Sequence, residues 1–276
     1  MQFELLASGY GLVEGPTVDA DGNLYFSDVL GGGVYRLDSS TQTITTVVPK
    51  RRGAGGIALH ADGGVVVSGR DISHVRDGGT RILYRIDGLP GWNDLCTDSA
   101  GRVYAGALRF MVFDAGADPV PGECRRIDAE GRATELYGGV VHANGIALSP
   151  AEDRIYHSDT RANVVLVHDL VDDQAVNRRT FEFPPGAPDG MAVDEAGCVW
   201  VASAIGGCVV RLTPEGDIDR RVDVPARTVT SLCFTGNDRR DLYVVTADNT
   251  DDPARRGSVL RTRVDTAGTP VHPVRI

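Results

Sequence analysis

Short apolar segments recur along the chain, and turns rich in Asp, Asn or Gly separate them. One unit consists of an apolar strand, a turn and a β-branched or aromatic strand, and it occurs at residues 15–29, 55–69, 93–107, 144–159, 189–203 and 231–247. Successive copies begin 40, 38, 51, 45 and 42 residues apart. Repeats of about 40–50 residues with several strands each are typical of β-propeller blades. No helical period of about 3.6 residues holds over a long window, so the pattern predicts an all-β protein.

The remainder of each repeat predicts two further strands, so that each blade has four antiparallel strands, here called A to D from the axis outward. The A–B turns carry the Asp, Asn and Gly residues that tight hairpins require. The last repeat has a third strand at 257–265 but little sequence for a fourth. The strand-like segment 3–9 is predicted to complete it and to close the ring. We therefore predict one six-bladed β-propeller domain over residues 1–276. A β-sandwich is the alternative, but it does not explain six copies in one register.

Aligning the repeats on strand A identifies the residue that precedes this strand in each blade: Glu14, Gly55, Asn93, Asn144, Asp189 and Thr230. Because all A strands line the central channel in the same direction, these residues should form a ring at one mouth of it. Two carboxylates ~4 Å apart repel by ~4 kcal/mol at an effective dielectric constant of about 20, so one is protonated or a cation lies between them. Carboxylate and amide oxygens without His or Cys favour Ca²⁺ or Mg²⁺, and also suit Mn²⁺. The alternative is that these Asn and Asp residues only cap turns.

Several segments resemble the SMP-30/gluconolactonase/luciferin-regenerating enzyme family: EGP at 14–16, WND at 92–94, NGIALS at 144–149, PDGMAVDEAGCVWVA at 188–202 and GGCVVRL at 206–212. The resemblance implies a six-bladed propeller that binds one divalent cation through Glu14, Asn144 and Asp189. It also implies that Asp189 is the catalytic general base, and that Asn93 contacts the substrate or the water on the cation. The expected cofactor is Ca²⁺, with Zn²⁺, Mg²⁺, Mn²⁺ and Fe²⁺ as alternatives. The implied activity is hydrolysis of a lactone, with the cation as Lewis acid.

One position departs from the family pattern. Lactonases of this family commonly have an Arg two residues before the Asn-Asp pair, where it binds sugar hydroxyls, and this chain has Gly91 followed by Trp92. A less polar substrate is one consequence. It keeps a dehydratase, hydratase or isomerase of a less polar metabolite open as an alternative, and a non-catalytic ligand-binding propeller is the other.

The loops expected at the mouth of the channel join strands B to C and D to A. The long loop of the third blade, 109–123, places Arg109, Phe110, Met111 and Phe113 as a lid that contacts the substrate; alternatively its apolar residues extend strand B or pack on a neighbouring blade. A second long loop is expected at 247–257. Trp92, Asn93 and His142 complete the predicted substrate-binding residues, although His142 can equally be structural. Asp94 either holds Asn93 by a hydrogen bond or caps a turn.

Charge and composition limit the partners. The formal charge is −10, from 28 basic and 38 acidic side chains, which argues against nucleic acid as a partner and leaves a small-molecule substrate. No apolar run is long enough to span a membrane, and the first residues do not resemble a signal peptide. The five Cys residues lack metal-ligand spacing, and most lie in apolar strand patterns. We expect a cytoplasmic protein, and the sequence leaves its oligomeric state open.

Overall fold

The structure, a computed structural model, describes residues 1–247 and 257–276. Its strands form six four-stranded antiparallel sheets arranged as the blades of a β-propeller, which confirms the predicted fold. The predicted second loop at 247–257 lies outside the described residues except for its two ends. Residues 1–247 and 257–276 contain no helix that is long and apolar enough to cross a membrane.

The strands follow the repeats closely. Blade 1 contains β2 (Val13–Val18), β3 (Leu24–Asp28), β4 (Val34–Leu37) and β5 (Ile44–Val48), and blade 2 contains β6 (Ile57–Leu59), β7 (Val65–Val67), β8 (Ile72–Arg76) and β9 (Gly79–Tyr84). Blade 3 contains β10 (Gly91–Thr97), β11 (Val103–Leu108), β12 (Gly122–Ile127) and β13 (Ala133–Val140), and blade 4 contains β14 (Ala143–Leu148), β15 (Arg154–Asp159), β16 (Val164–Val171) and β17 (Gln174–Glu182). Blade 5 contains β18 (Pro188–Val193), β19 (Val199–Ser203), β20 (Cys208–Leu212) and β21 (Ile218–Asp223), and blade 6 contains β22 (Val229–Thr235), β23 (Asp241–Thr246), β24 (Gly257–Arg263) and β1 (Glu4–Tyr10).

The N-terminal strand closes the ring as predicted. β1 pairs antiparallel with β24, and the Arg261 guanidinium forms an ion pair with Glu4 across this junction at 2.6 Å. The pairing gives the last blade its fourth strand from the opposite end of the chain. The ring therefore closes through backbone hydrogen bonds, and the outer edge of β24 is covered.

The core lies between neighbouring blades. Strands in the middle of each blade are covered on both faces, which is why they have continuous apolar runs such as β19 instead of strict alternation. Trp200 of blade 5 meets Phe234 of blade 6 edge-on, with ring centroids 5.8 Å apart. Burial of such large side chains between blades contributes to the hydrophobic stabilisation.

The C-terminal segment, residues 264–276, crosses the end of the channel opposite the ring. The Thr269 N–H donates to the Val193 carbonyl of blade 5, and the Val274 N–H donates to the Leu59 carbonyl of blade 2. The repeats give no indication of this path. A cavity of about 250 Å³ occupies the channel behind the segment, and residues from Thr269 to His272 line it.

Two buried histidines between blades 3 and 4 make stability depend on pH. Loss of hydration lowers the pKa of His157 to about 3 and that of His168 to about 4, against about 6.5 in an unfolded chain. The unfolded chain therefore binds more protons below about pH 6.5. We expect each histidine to lower the free energy of unfolding by about 1.4 kcal/mol per pH unit as the pH decreases from about 6.5 toward the pKa that the histidine has in the folded protein.

The measurement is urea unfolding at several pH values between 7.5 and 4.5. His157→Gln should reduce the slope of unfolding free energy against pH in this interval. An unchanged slope in the variant would show that His157 is not the group responsible.

Candidate functional site

In five of the six blades the ring residue lies at an irregularity in the first strand, whereas Gly55 of blade 2 precedes its strand. In blades 3, 4 and 5, two residues of strand A face a single residue of strand B: Asn93 and Asp94, Asn144 and Gly145, and Asp189 and Gly190. In blade 1 the same irregularity follows Glu14 directly. Such β-bulges bend the strand and redirect side chains, and they occur often beside active sites. The bulges therefore direct the polar side chains of four blades toward the channel axis.

Close backbone packing brings these blades together at the axis. The Asn93 amide donates to the Ala143 carbonyl at 2.9 Å, which links blade 3 to blade 4. A Cβ atom on Gly55 would lie 2.2 Å from Asn93 Oδ1, so blade 2 can only have glycine at its ring position without displacing Asn93. The Thr230 hydroxyl donates to the Val13 carbonyl, which links blade 6 to blade 1. Thr230 is therefore a structural member of the ring.

Serine hydroxyls at the end of strand B hold two of the acidic ring residues in place. The Ser158 hydroxyl donates to the Asp189 carbonyl at 2.7 Å, and the Ser27 hydroxyl lies 3.2 Å from the Glu14 carbonyl. The Asn144 amide donates to the Thr160 hydroxyl at 3.1 Å, and that hydroxyl donates to the Pro188 carbonyl at 2.7 Å. These bonds fix the backbone of the ring independently of any ligand.

The carboxylates of the ring are buried beside one another. Loss of hydration raises the pKa of Glu14 well above its ordinary value, and the charges of Asp189 and Asp94 raise it further. Loss of hydration also raises the pKa of Asp189, as does the charge of Asp94, although the Gly190 N–H and the Asn144 side chain lower it. The pKa of Asp94 is raised to about 7 by the same loss of hydration. Three neighbouring acids that have no basic partner in the described part of the chain favour either protons or a cation.

The donor set fits a divalent cation. Glu14, Asn144 and Asp189 are buried, and Asp189 Oδ1 is buried without a hydrogen-bond partner among the described residues. An unsatisfied buried carboxylate oxygen is costly, and a cation would satisfy it. No three His, Cys, Asp or Glu side chains are arranged to hold a metal in the described part of the chain. A site here therefore depends on the amide oxygen of Asn144 in addition to the two carboxylates, which suits a hard ion.

The other predicted substrate-binding residues differ in burial and in the contacts that they make. Phe110 is buried and meets His142 edge-on, with ring centroids 6.2 Å apart. Met111 and Phe113 are exposed, at 59% and 66%. Arg109 forms a bidentate ion pair with Glu123, with both N–O distances 2.7 Å. Arg109, Phe110, Met111 and His142 thus lie on loops at the ring end, and their contact with substrate stays a prediction.

Trp92 was predicted to contact the substrate, but its side chain lies in the core between two blades. Its side chain is 1% exposed and packs in the apolar cluster between blades 2 and 3, with Tyr84 at a ring centroid distance of 5.6 Å. A Cβ atom on the preceding Gly91 would meet only the Gly69 backbone, at 3.4 Å or more, so nothing close at this position requires glycine.

Thr160 and Arg161 lie near the ring but had no predicted function, and two roles were predicted as alternatives for Asp94. Asp94 shares the bulge with Asn93, and Thr160 bonds to Asn144. Arg161 follows Thr160, and its guanidinium carbon lies 6.0 Å from the centroid of the Phe110 ring. Loss of hydration and the charge of Arg161 lower the pKa of His142, whereas Asp159 raises it. The sequence could have indicated Thr160 and Arg161 as site residues, since the loop 160–163 joins strands B and C at the end of the propeller where the ring lies.

The channel cavity is distinct from the mouth. It is lined by residues that follow the ring positions along the first strands, among them Gly15, Asp94, Ile146 and Ser231, and by none of the six ring residues themselves. Residues Thr269 to His272 of the C-terminal segment line its far end. The cavity therefore lies on the side of the ring that faces the C-terminal segment.

These features define a class: six-bladed β-propellers with carboxylate and amide side chains around one mouth of the central channel. Residues 12–248 match the sequence profile of the SMP-30/gluconolactonase/LRE-like region. The chain belongs to this family, as its motifs predicted.

Individual proteins agree with this assignment. A 6-deoxy-6-sulfogluconolactonase of Pseudomonas putida is 34% identical over 263 residues, which cover 89% of this chain and 88% of that relative. The pentonolactonase XacC of Haloferax volcanii is 34% identical over 251 residues, which cover 87% of this chain and 83% of that relative. A solved luciferin-regenerating enzyme has the same fold, with a TM-score of 0.89, 24% identity, and coverage of 100% of this chain and 99% of that one.

Proposed function

We propose that this protein is a metal-dependent lactonase in which Glu14, Asn144 and Asp189 hold one divalent cation and Asp189 is the general base. The observation that carries the proposal is the unpartnered, buried Oδ1 atom of Asp189 in a ring with a second carboxylate and an amide. The names of two relatives that are 34% identical, a sulfogluconolactonase and a pentonolactonase, support a lactone of an aldonic acid as substrate.

The chemistry assigns a separate task to each group. When bound, the cation acts as a Lewis acid that polarises the lactone carbonyl. Asp189 removes a proton from the attacking water, whose oxygen bonds to the carbonyl carbon. The ring C–O bond then breaks, and the departing alkoxide oxygen takes the proton that Asp189 removed, which gives a hydroxyl group and restores the Asp189 carboxylate. Asn93, whose amide N–H is bound to Ala143, can present its Oδ1 atom to the water or substrate.

Acid release from a panel of sugar and aliphatic lactones, followed with a pH indicator, tests this function. We expect five- or six-membered aldonolactones to be opened well above the uncatalysed rate. If no lactone in the panel releases acid with the cation-loaded protein, the lactonase proposal is wrong. A metal-assisted dehydration, hydration or isomerisation would then be examined on less polar metabolites.

Removal of the cation should remove both activity and part of the stability. We expect a chelator to abolish lactone hydrolysis and to lower the melting temperature, because the ligand set then contains repelling buried carboxylates. Readdition of Ca²⁺ at about 100 times its Kd should raise the free energy of unfolding by about 2.7 kcal/mol. Zn²⁺, Mg²⁺, Mn²⁺ and Fe²⁺ are compared in the same assay. Full activity in protein shown by elemental analysis to be free of metal would contradict the proposal.

A further inference from the structure

The two ends of the propeller differ in charge. Over the described residues, the loops at the ring end, which join B to C and D to A, contain eight basic and four acidic side chains. The A–B and C–D turns at the opposite end contain four basic and seventeen acidic side chains. The formal charge of −10 is thus distributed unevenly along the channel axis. Such a distribution attracts anions to the positive end and raises the rate at which they arrive.

At least four of the eight basic side chains at the ring end have a carboxylate partner, and Arg70 is paired with the same Asp71 as Arg51. Arg51 pairs with Asp71 at 2.8 Å, Arg85 with Asp87 at 2.9 Å, and Arg109 with Glu123 at 2.7 Å. These guanidinium groups are largely neutralised by neighbours in the protein. They contribute to the shape of the rim more than to the binding of an anion.

Arg161 differs from these residues. It is exposed, and like Lys50 and Arg52 it forms no ion pair with a carboxylate among residues 1–247 and 257–276. Its guanidinium group lies over the Phe110 ring, which is itself buried against His142. A ring beneath the guanidinium plane restrains it while its N–H donors stay available at the edges.

The position of Arg161 is fixed relative to the ring. The preceding residue, Thr160, accepts a hydrogen bond from Asn144 and donates one to the Pro188 carbonyl, directly before Asp189. One ring residue, Asn144, and the residue that precedes another, Pro188, therefore anchor the loop that carries Arg161. An unpaired, restrained guanidinium at this place is suited to the bidentate binding of a carboxylate, sulfonate or phosphate.

We propose that the substrate is a lactone that carries an anionic oxoacid group, and that Arg161 binds this group at the mouth. The inference rests on the proposed lactonase function and specifies its substrate class. The ester is opened at the ring while the anionic group lies toward blades 3 and 4, where Phe110 and Arg161 meet. Arg161 is a specificity residue and takes no part in bond breaking.

The test compares two lactones of the same ring size, an aldono-1,4-lactone and the aldaro-1,4-lactone in which the terminal hydroxymethyl group is a carboxylate. The native protein should open the carboxylate lactone with the higher kcat/KM, and increasing salt should reduce this value. Arg161→Gln should lower kcat/KM for the carboxylate lactone about 10- to 100-fold, mostly through KM, and change the neutral lactone less than about twofold. Arg161→Lys should restore part of the loss. Lactones with a terminal sulfonate or phosphate identify which anion is preferred.

Arg85→Gln is the matched control, because it removes the same charge from the same end at a residue that is already paired. It should leave the ratio of the two kcat/KM values unchanged. Equal use of both lactones, with no selective effect of Arg161→Gln, would overturn the inference and leave the lactonase function intact.

Binding of the open-chain aldarate, measured by calorimetry, separates the two proposals if no lactone is opened. Weaker aldarate binding by Arg161→Gln than by the native protein would then support anion recognition without lactone hydrolysis. Equal binding or no binding would overturn the inference as well.

Discussion

Asp189→Asn is expected to lower kcat for lactone hydrolysis by about 10³-fold while the propeller stays folded. General-base catalysis contributes about 10²–10⁴-fold, and this variant also removes one ligand charge from the cation. Asparagine has nearly the same shape and places no charge among the other acids. The free energy of unfolding of the metal-free variant should therefore be equal to or above that of the native protein. Steady-state kinetics and urea unfolding measure both quantities.

Asp98→Asn provides the control for this result. Asp98 is also a buried carboxylate, but it lies in the A–B turn of blade 3 at the opposite end, where it bonds to Arg102 and Tyr104. This variant should lose stability and keep its kcat. Undiminished turnover in Asp189→Asn would remove Asp189 from the mechanism.

Asp194→Ala is expected to lower the free energy of unfolding by about 3–5 kcal/mol. The Asp194 carboxylate is fully buried and accepts hydrogen bonds from Trp200 Nε1 at 2.8 Å, Arg211 Nε at 2.7 Å and the Cys198 N–H at 3.1 Å. Its removal leaves a buried indole N–H and a largely buried guanidinium group with fewer partners. The Arg211 side chain is only 11% exposed, so water cannot replace the lost carboxylate easily. Urea unfolding at neutral pH measures the loss.

Asp62→Ala is the matched control, since Asp62 lies in the A–B turn of blade 2 with a side chain that is 76% exposed. Its effect should stay within about 0.5 kcal/mol. A similar loss in both variants would mean that the turns, and not the buried network of Asp194, determine the cost.

The number of blades and the order of their strands could be predicted because they depend on local pairing. Each hairpin places its own turn residues and its own apolar segments within about 20 residues, and the repetition of that pattern six times leaves few other folds. Closure of blade 6 by the N-terminal strand was also predictable, because the last repeat has too little sequence for a fourth strand. The path of residues 264–276 was not, because this segment bonds to blades 5 and 2 with no repeat pattern of its own.

The sequence by itself determined which side chains stand at the start of each inner strand, and hence that Glu14, Asn93, Asn144 and Asp189 belong to one ring. Only the tertiary structure decided which neighbours of these residues face the channel. A β-bulge directs Asn93 and Asp94 toward the axis while the adjacent Trp92 packs between blades, and sequence proximity cannot distinguish the two directions. The structure likewise brings Arg161 onto Phe110, although 51 residues separate them along the chain. Burial and side-chain orientation arise when distant segments pack together, so local patterns cannot specify them.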